Sequence, residues 1–329
     1  MHISVMNKKI FVTILFFLFV LLINAKEKPK FTVFSTESKM IFDFCFFENG
    51  EKLAVADNTT IKIFSTNSQQ LLGELSCGHS EKILTIDVSK DDRLLASGGE
   101  DGKIVILAIL EKSTIKNILI KDDIVTSVNF SPDSRYLLVG TSKGNVFVYD
   151  IENDTKSFNY SDHKKDVTSV KFSPDGKLFA SSSGDKTINI YQTKDGKLIS
   201  TLKGHRNWVR EIIFNQDGQK LLSCGDDSKV IFWDLSNLTN ISSNKKTYKT
   251  FNWITSLDLY KDDKSYVFGR INGRITIKTS INNYQIKLNK AVNKIRFVPT
   301  EIDYIKVVAA TNGNGLILID AQNMKLTTR

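Results

Sequence analysis

Phe46, Val88, Phe130, Phe172 and Phe214 stand 42 positions apart, and Leu259 and Phe297 continue the series with steps of 45 and 38. The fullest version of the segment that opens on these residues is Phe172-Ser173-Pro174-Asp175-Gly176. Seven such units run from about residue 31 to the C-terminus. A unit of this size is one supersecondary piece that cannot bury its own apolar faces, so copies must stack into a continuous array. A length of 329 residues would otherwise suggest two domains. The repeat replaces that expectation with one body over residues 26–329.

Within a unit the apolar pattern has a period of two. Val170 and Phe172 flank Lys171, Ile188 and Ile190 flank Asn189, and Leu198 and Leu202 recur at even spacing. Turn residues separate these runs: Pro174-Asp175-Gly176, Gly184-Asp185-Lys186 and Lys194-Asp195-Gly196. About four short strands per unit follow, and the fold predicted is all-β, a seven-bladed β-propeller of four-stranded antiparallel blades. Composition agrees, because 41% hydrophobic residues can fill such a core while 3 Cys cannot staple one, which excludes disordered, collagen-like and disulfide-scaffold classes.

Three units share a sharper signature. His79, Ser97, Asp101 and Leu107 have the same spacing as His163, Ser181, Asp185 and Tyr191, and as His205, Ser223, Asp227 and Trp233. With Gly78-His79, Gly204-His205 and Trp233-Asp234, the chain from 31 to 329 resembles the WD-repeat family. The resemblance implies that His, Ser, Asp and Trp form a hydrogen-bonded chain inside a blade. Only the unit of His205 is complete; Tyr191 and Leu107 replace the Trp, and Lys143 and Asn272 replace the Asp of units three and six. Uneven blade stability is expected. Phe31 to Ser35 and Lys325 to Thr328 both suit the outer edge of the last blade, and either can close the ring.

The N-terminus is read separately. Lys8 and Lys9 precede an apolar run from Ile10 to Ile23, followed by Asn24, Ala25 and a polar stretch. This is the pattern of a signal peptide over residues 1–25, or of an uncleaved signal anchor formed by 10–23, and it places the propeller in a secreted or periplasmic setting. Cys45, Cys77 and Cys224 are an odd number, so at least one is free or paired outside the chain.

Function is read first by exclusion. All three histidines beyond the leader belong to the structural signature, so neither a metal site nor a His base is expected. No nucleophile elbow, phosphate loop or HExxH occurs, and the pairs Asp91-Asp92, Asp122-Asp123 and Asp262-Asp263 suit turns. No catalysis and no cofactor is expected; an enzyme in the central channel would need convergent acids that the sequence does not display. The remaining reading is a monomeric propeller that binds another protein or peptide at the mouth of its ring, with nucleic acid not expected.

The family resemblance implies partner contacts at the loop entering each first strand, two residues further on, and just before the turn Asp. Those places hold Trp208, Arg210 and Asp226 in unit five, Trp253 and Thr255 in unit six, and Asp166 and Thr168 in unit four. Lys82 and Glu100 hold them in unit two, Met40 and Phe42 in unit one. Trp208, Arg210 and Trp253 form the expected anchor cluster, since Trp and Arg dominate interface energetics; both Trp could instead fill the gap between blades. The formal charge of +9 falls to +7 without Lys8 and Lys9, and residues 245–296 hold 12 Lys+Arg against 3 Asp+Glu. Basicity therefore belongs to one blade, and a polyanion or membrane-surface contact there is the alternative to a solvated outer face.

Overall fold

The computed structural model describes residues 29–238, 241, 245–280, 282–299 and 304–325. Among them are seven four-stranded sheets, each antiparallel throughout. Blade 4 is typical, with strands Val167–Phe172, Leu178–Ser183, Thr187–Gln192 and Leu198–Lys203. Its first turn shows why Ser-x-Asp recurs at Ser89, Ser131 and Ser173: the Ser173 hydroxyl donates to Asp175 at 2.7 Å and accepts from the Leu178 N–H at 3.0 Å, and Gly176 takes a φ of +68°. Blades 5 and 6 begin with Val209–Phe214 and Ile254–Leu259.

Blade 7 combines both ends of the chain. Val292–Phe297, Tyr304–Thr311 and Gly315–Lys325 supply three strands, and Lys30–Val33 supplies the outer one, pairing Lys30 with Asp320 and Val33 with Ile317. The N-terminal strand thus takes the edge, while Lys325 pairs with Tyr304 inside the sheet; residues 326–328 lie outside the described residues. The strand's own side chains are exposed. Its anchor is the next residue, Phe34, only 2% exposed and edge-on to Phe64 of blade 1 at 5.5 Å. Closure therefore ties blade 7 to blade 1 through an aromatic contact as well as through backbone bonds.

The cores lie between blades. Ala180, Ile188, Ile190 and Leu202 of blade 4 pack with Val209, Ile212, Leu221, Ile231 and Trp233 of blade 5. Stacking, not any single sheet, removes both faces from water.

The first strands face one another around the axis, and each leaves a row of N–H groups unpaired on its inner edge. Such groups must find acceptors. The preceding blade supplies them at two registers. At the upper one, Asp43 accepts from Ile86 (3.1 Å), Thr85 from Val128 (3.2 Å), Ser127 from Val170 (3.1 Å), Glu211 from Leu257 (3.0 Å) and Ser256 from Ile295 (3.1 Å). At the lower one, Asp87 accepts from Phe130, Asn129 from Phe172 and Asp258 from Phe297, each at 2.8 Å.

The signature residues form the chain expected. His205 bonds Asp227 through Nδ1 at 2.9 Å and Ser223 through Nε2 at 2.8 Å, and the Trp233 indole N–H donates to Ser223 at 2.8 Å. His79 joins Asp101 and Ser97, each at 2.9 Å, and His163 joins Asp185 and Ser181 at 3.0 and 2.8 Å. Tyr191, in the place of Trp, turns its hydroxyl instead to Asp162 at 3.0 Å. Blade 3 has neither His nor Asp in the signature places, and Asp123 gathers Ser142 (2.8 Å) and the Lys143 N–H (3.1 Å) in their stead. All three cysteines are free. No helix among the described residues is long and apolar enough to cross a membrane, and the leader expected at 1–25 lies outside the described residues.

Candidate binding site at the mouth and channel

The mouth residues occupy the expected loops, in unlike settings. Trp208 is half-buried, its ring lying over Gly184 of blade 4 so closely that a Cβ there would sit 2.7 Å from the indole. Arg210 stacks on it at 4.9 Å from the ring centroid and grips Asp226 with two bonds, 2.8 and 2.6 Å. Trp208 therefore fills the joint between blades 4 and 5 while supporting an Arg at the mouth. Trp253, at the equivalent place in blade 6, is 48% exposed, beside Phe251 at 90% and Ile271 at 44%. Together they leave large apolar side chains open to solvent on the rim.

The threonines are committed elsewhere. Thr168 donates to Val209 O of the next blade at 2.5 Å, Thr126 to Val167 O at 2.6 Å and Thr255 to Val292 O at 2.5 Å. They staple neighbouring inner strands and offer a partner only their methyl groups. Asp166 is half-buried, with its backbone carbonyl accepting from Gly184. Glu100 faces an acidic recess with Glu81, Asp122 and Asp123. Lys82 and Met40 are exposed on the rim, and Phe42 reaches into the channel. The mouth is thus polarised, acidic at blades 2 and 3, aromatic with a braced Arg at blades 5 and 6.

Below the mouth lies a central cavity of about 540 Å³, lined by Phe42, Thr168, Arg210 and Trp253 and by a charged floor. The floor corrects the expectation that no acids converge on the axis: Asp43, Asp87 and Glu211 line it with Lys171, Lys294 and Arg296, and Asp258 adds its charge from beside them. Lys294 spans Asp43 at 3.1 Å and Glu211 at 2.9 Å, and Arg296 pairs with Glu211. Burial works against the Glu211 carboxylate, but Arg296 and Lys294 outweigh it and hold the group well below the ordinary range. Burial raises Asp258 to about 6, with Arg296 only partly opposing. Burial also raises Asp87 and lowers Lys171, each moderated by the other.

These acids have a structural employment, since all four accept N–H groups from the next inner strand. The sequence did carry a signal for them. Asp43, Glu211 and Lys294 each lie three residues before a repeat-marking residue, and Asp87, Lys171, Asp258 and Arg296 one before. Stepping through the units would have found two polar rings. Among the described residues no group of three or more His, Cys, Asp or Glu could hold a metal ion.

Compared with known proteins, residues 94–285 match the family described as the Echinoderm microtubule-associated protein second beta-propeller, and residues 69–106 match the WD domain, G-beta repeat. No curated protein matches the chain. With more than half of the chain matched, seven sheets closing a ring, and three blades bonded through His, Ser and Asp, the chain belongs to the WD-repeat β-propeller family.

Proposed function

We propose that this propeller is a non-catalytic binding module whose mouth holds another protein or peptide. WD-repeat propellers commonly serve as protein-interaction scaffolds, and families of this kind are typically without catalysis. The observation that carries the reading is the exposed trio of Trp253, Phe251 and Ile271 beside the Arg210–Asp226 pair. Burying an exposed Trp and its apolar neighbours supplies affinity, and a pre-positioned Arg supplies direction at small entropic cost. The channel acids favour this reading over an enzyme, because each is engaged with backbone N–H groups and two are neutralised by Lys294 and Arg296.

The setting proposed is outside the cytoplasm, on the strength of the Lys8-Lys9 and Ile10 to Ile23 pattern. Microtubule association belongs to the proteins for which the matched family is named, and export would separate this chain from microtubules. Intact mass of the purified native protein tests the leader, with a mature start at Lys26 expected.

Affinity capture from the native compartment with wild type and Trp253→Ala in parallel tests the mouth. Loss of about 2 kcal/mol, some 30-fold in affinity, is expected for the anchor. Equal capture by both proteins, with both folded, would refute the assignment.

A further inference from the structure

Blade 6 has lost the whole signature chain. Relative to blade 5, Thr250 stands for His205, Phe268 for Ser223, Asn272 for Asp227 and Lys278 for Trp233, each 45 residues on. In the same register Arg270 replaces Gly225, and Arg274 replaces Lys229. The substitutions remove the imidazole and the carboxylate and add cations. In blade 5, Lys229 lies 3.3 Å from Asp227; in blade 6, Asn272 keeps the backbone bond to Arg274 at 3.1 Å but brings no charge.

The result is a pocket of about 240 Å³ lined by Lys249, Arg270, Arg274 and Lys278 together with Thr250 and Thr276. No Asp or Glu lines it. Arg270 is buried, and its Nε has no hydrogen-bond partner; the buried hydroxyls of Thr250 and Thr276 have none either. None of the four cations takes part in an ion pair among the described residues, and the three acids of 245–296 are engaged elsewhere: Asp258 in the channel, Asp262 with Ser265 and Asp263 with Asn215. Burial and the neighbouring Arg274 lower Arg270, and burial and Lys246 lower Lys278. A desolvated guanidinium and two unsatisfied hydroxyls without a counter-ion are costly, and an entering anion removes that cost.

We propose that this pocket binds a phosphoryl group. Paired guanidinium groups present forked donors to tetrahedral oxyanions, and hydroxyls complete the donor set. Arg270 rests on the Phe268 ring at 4.8 Å and Lys278 on the Tyr248 ring at 3.0 Å, and none of the four cations has a carboxylate partner, so a phosphomonoester near its dianion, with three acceptor oxygens, matches them better than a singly charged carboxylate. The volume suits a compact head group rather than an extended chain. The pocket adjoins the apolar mouth, since Phe251 lines it as well, but the proposal does not rest on the reading given to the mouth.

The test titrates the full chain with inorganic pyrophosphate by calorimetry, and in parallel measures sedimentation with phosphatidylcholine vesicles with and without phosphatidylinositol phosphates. One-to-one pyrophosphate binding is expected, weakened at least tenfold in Arg270→Gln. Asn272→Asp should weaken it similarly by restoring the family's internal counter-ion beside Arg274, and it judges the proposal if Arg270→Gln does not fold. Vesicle binding that fails in the same variants would assign the phosphoryl group to a lipid, and pyrophosphate binding alone would assign it to a solute. Absence of binding in both arms, or equal affinity in wild type and Asn272→Asp, would overturn the proposal.

Discussion

Asp258→Asn isolates the electrostatic cost of the channel floor. Asp258 sits on the first strand of blade 6, buried, with one carboxylate oxygen accepting from the Phe297 N–H at 2.8 Å. Its folded pKa of about 6 lies above the ordinary 3.8, with burial the dominant cause. A carboxylate raised on folding binds its proton more tightly in the native state, so it costs nothing below about pH 4. The cost grows between about 4 and 6 and is complete above. A shift of about 2 pKa units corresponds to about 3 kcal/mol.

Asparagine retains the oxygen that serves Phe297 and removes the charge. Its new amide beside Arg296 costs about 1 kcal/mol at every pH, leaving ~2 kcal/mol of net stabilisation at pH 8 and a net loss of ~1 kcal/mol at pH 4. For a chain of this length the gain at pH 8 is about 3 °C in midpoint. Paired thermal melts of wild type and variant at pH 4, 5, 6, 7 and 8 give the difference directly, and the background titration of other groups cancels. A difference independent of pH, or a variant less stable at pH 8, would show that attraction to Arg296 outweighs desolvation and that the reasoning is wrong.

Phe34→Ala should destabilise by ~3–4 kcal/mol through the cavity left between blades 7 and 1, and hydrogen exchange should rise first at Gly315–Lys325; uniform exchange would refute local closure. Trp233→Phe removes the indole donor to Ser223 inside blade 5 and should cost ~1–3 kcal/mol in denaturant melts, whereas Tyr191→Phe, whose hydroxyl turns away to Asp162, should cost less. Trp208→Ala should lower stability by more than about 1 kcal/mol, because the ring covers Gly184, while Trp253→Ala should leave it nearly unchanged; the reverse order would exchange the roles of the two residues. Burial pushes the Cys224 thiol well up, and its side chain is out of contact with solvent, so it should not react with maleimide at neutral pH until the chain unfolds, as mass spectrometry would report.

The architecture was legible because a propeller is quasi-periodic. A spacing of 42 with apolar alternation and repeated turns leaves few alternatives to four-stranded blades, and the His, Ser and Asp spacing in three units maps onto bonds that the structure contains. Local chemistry sufficed there, since each chain closes within one blade. The channel floor was missed for the opposite reason. Asp43, Glu211, Lys294 and Arg296 are as many as 253 residues apart, and only ring closure brings the first and last blades together.

Sequence alone therefore determined the fold class, the blade count, the internal hydrogen-bonded chains and the loops that form the mouth. Tertiary structure decided which candidates are available to a partner. It seated Trp208 on Gly184 and left Trp253 exposed, although both hold the same register. It also decided that Lys30–Val33 takes the closing edge, because Phe34 finds a buried place against Phe64. In blade 6, losing His and Asp from the repeat was readable as a departure, but its consequence was not. The loss becomes a pocket with unpaired donors only when the cations of two neighbouring strands and the outer edge of blade 5 converge beside Thr250, at the place of the missing His.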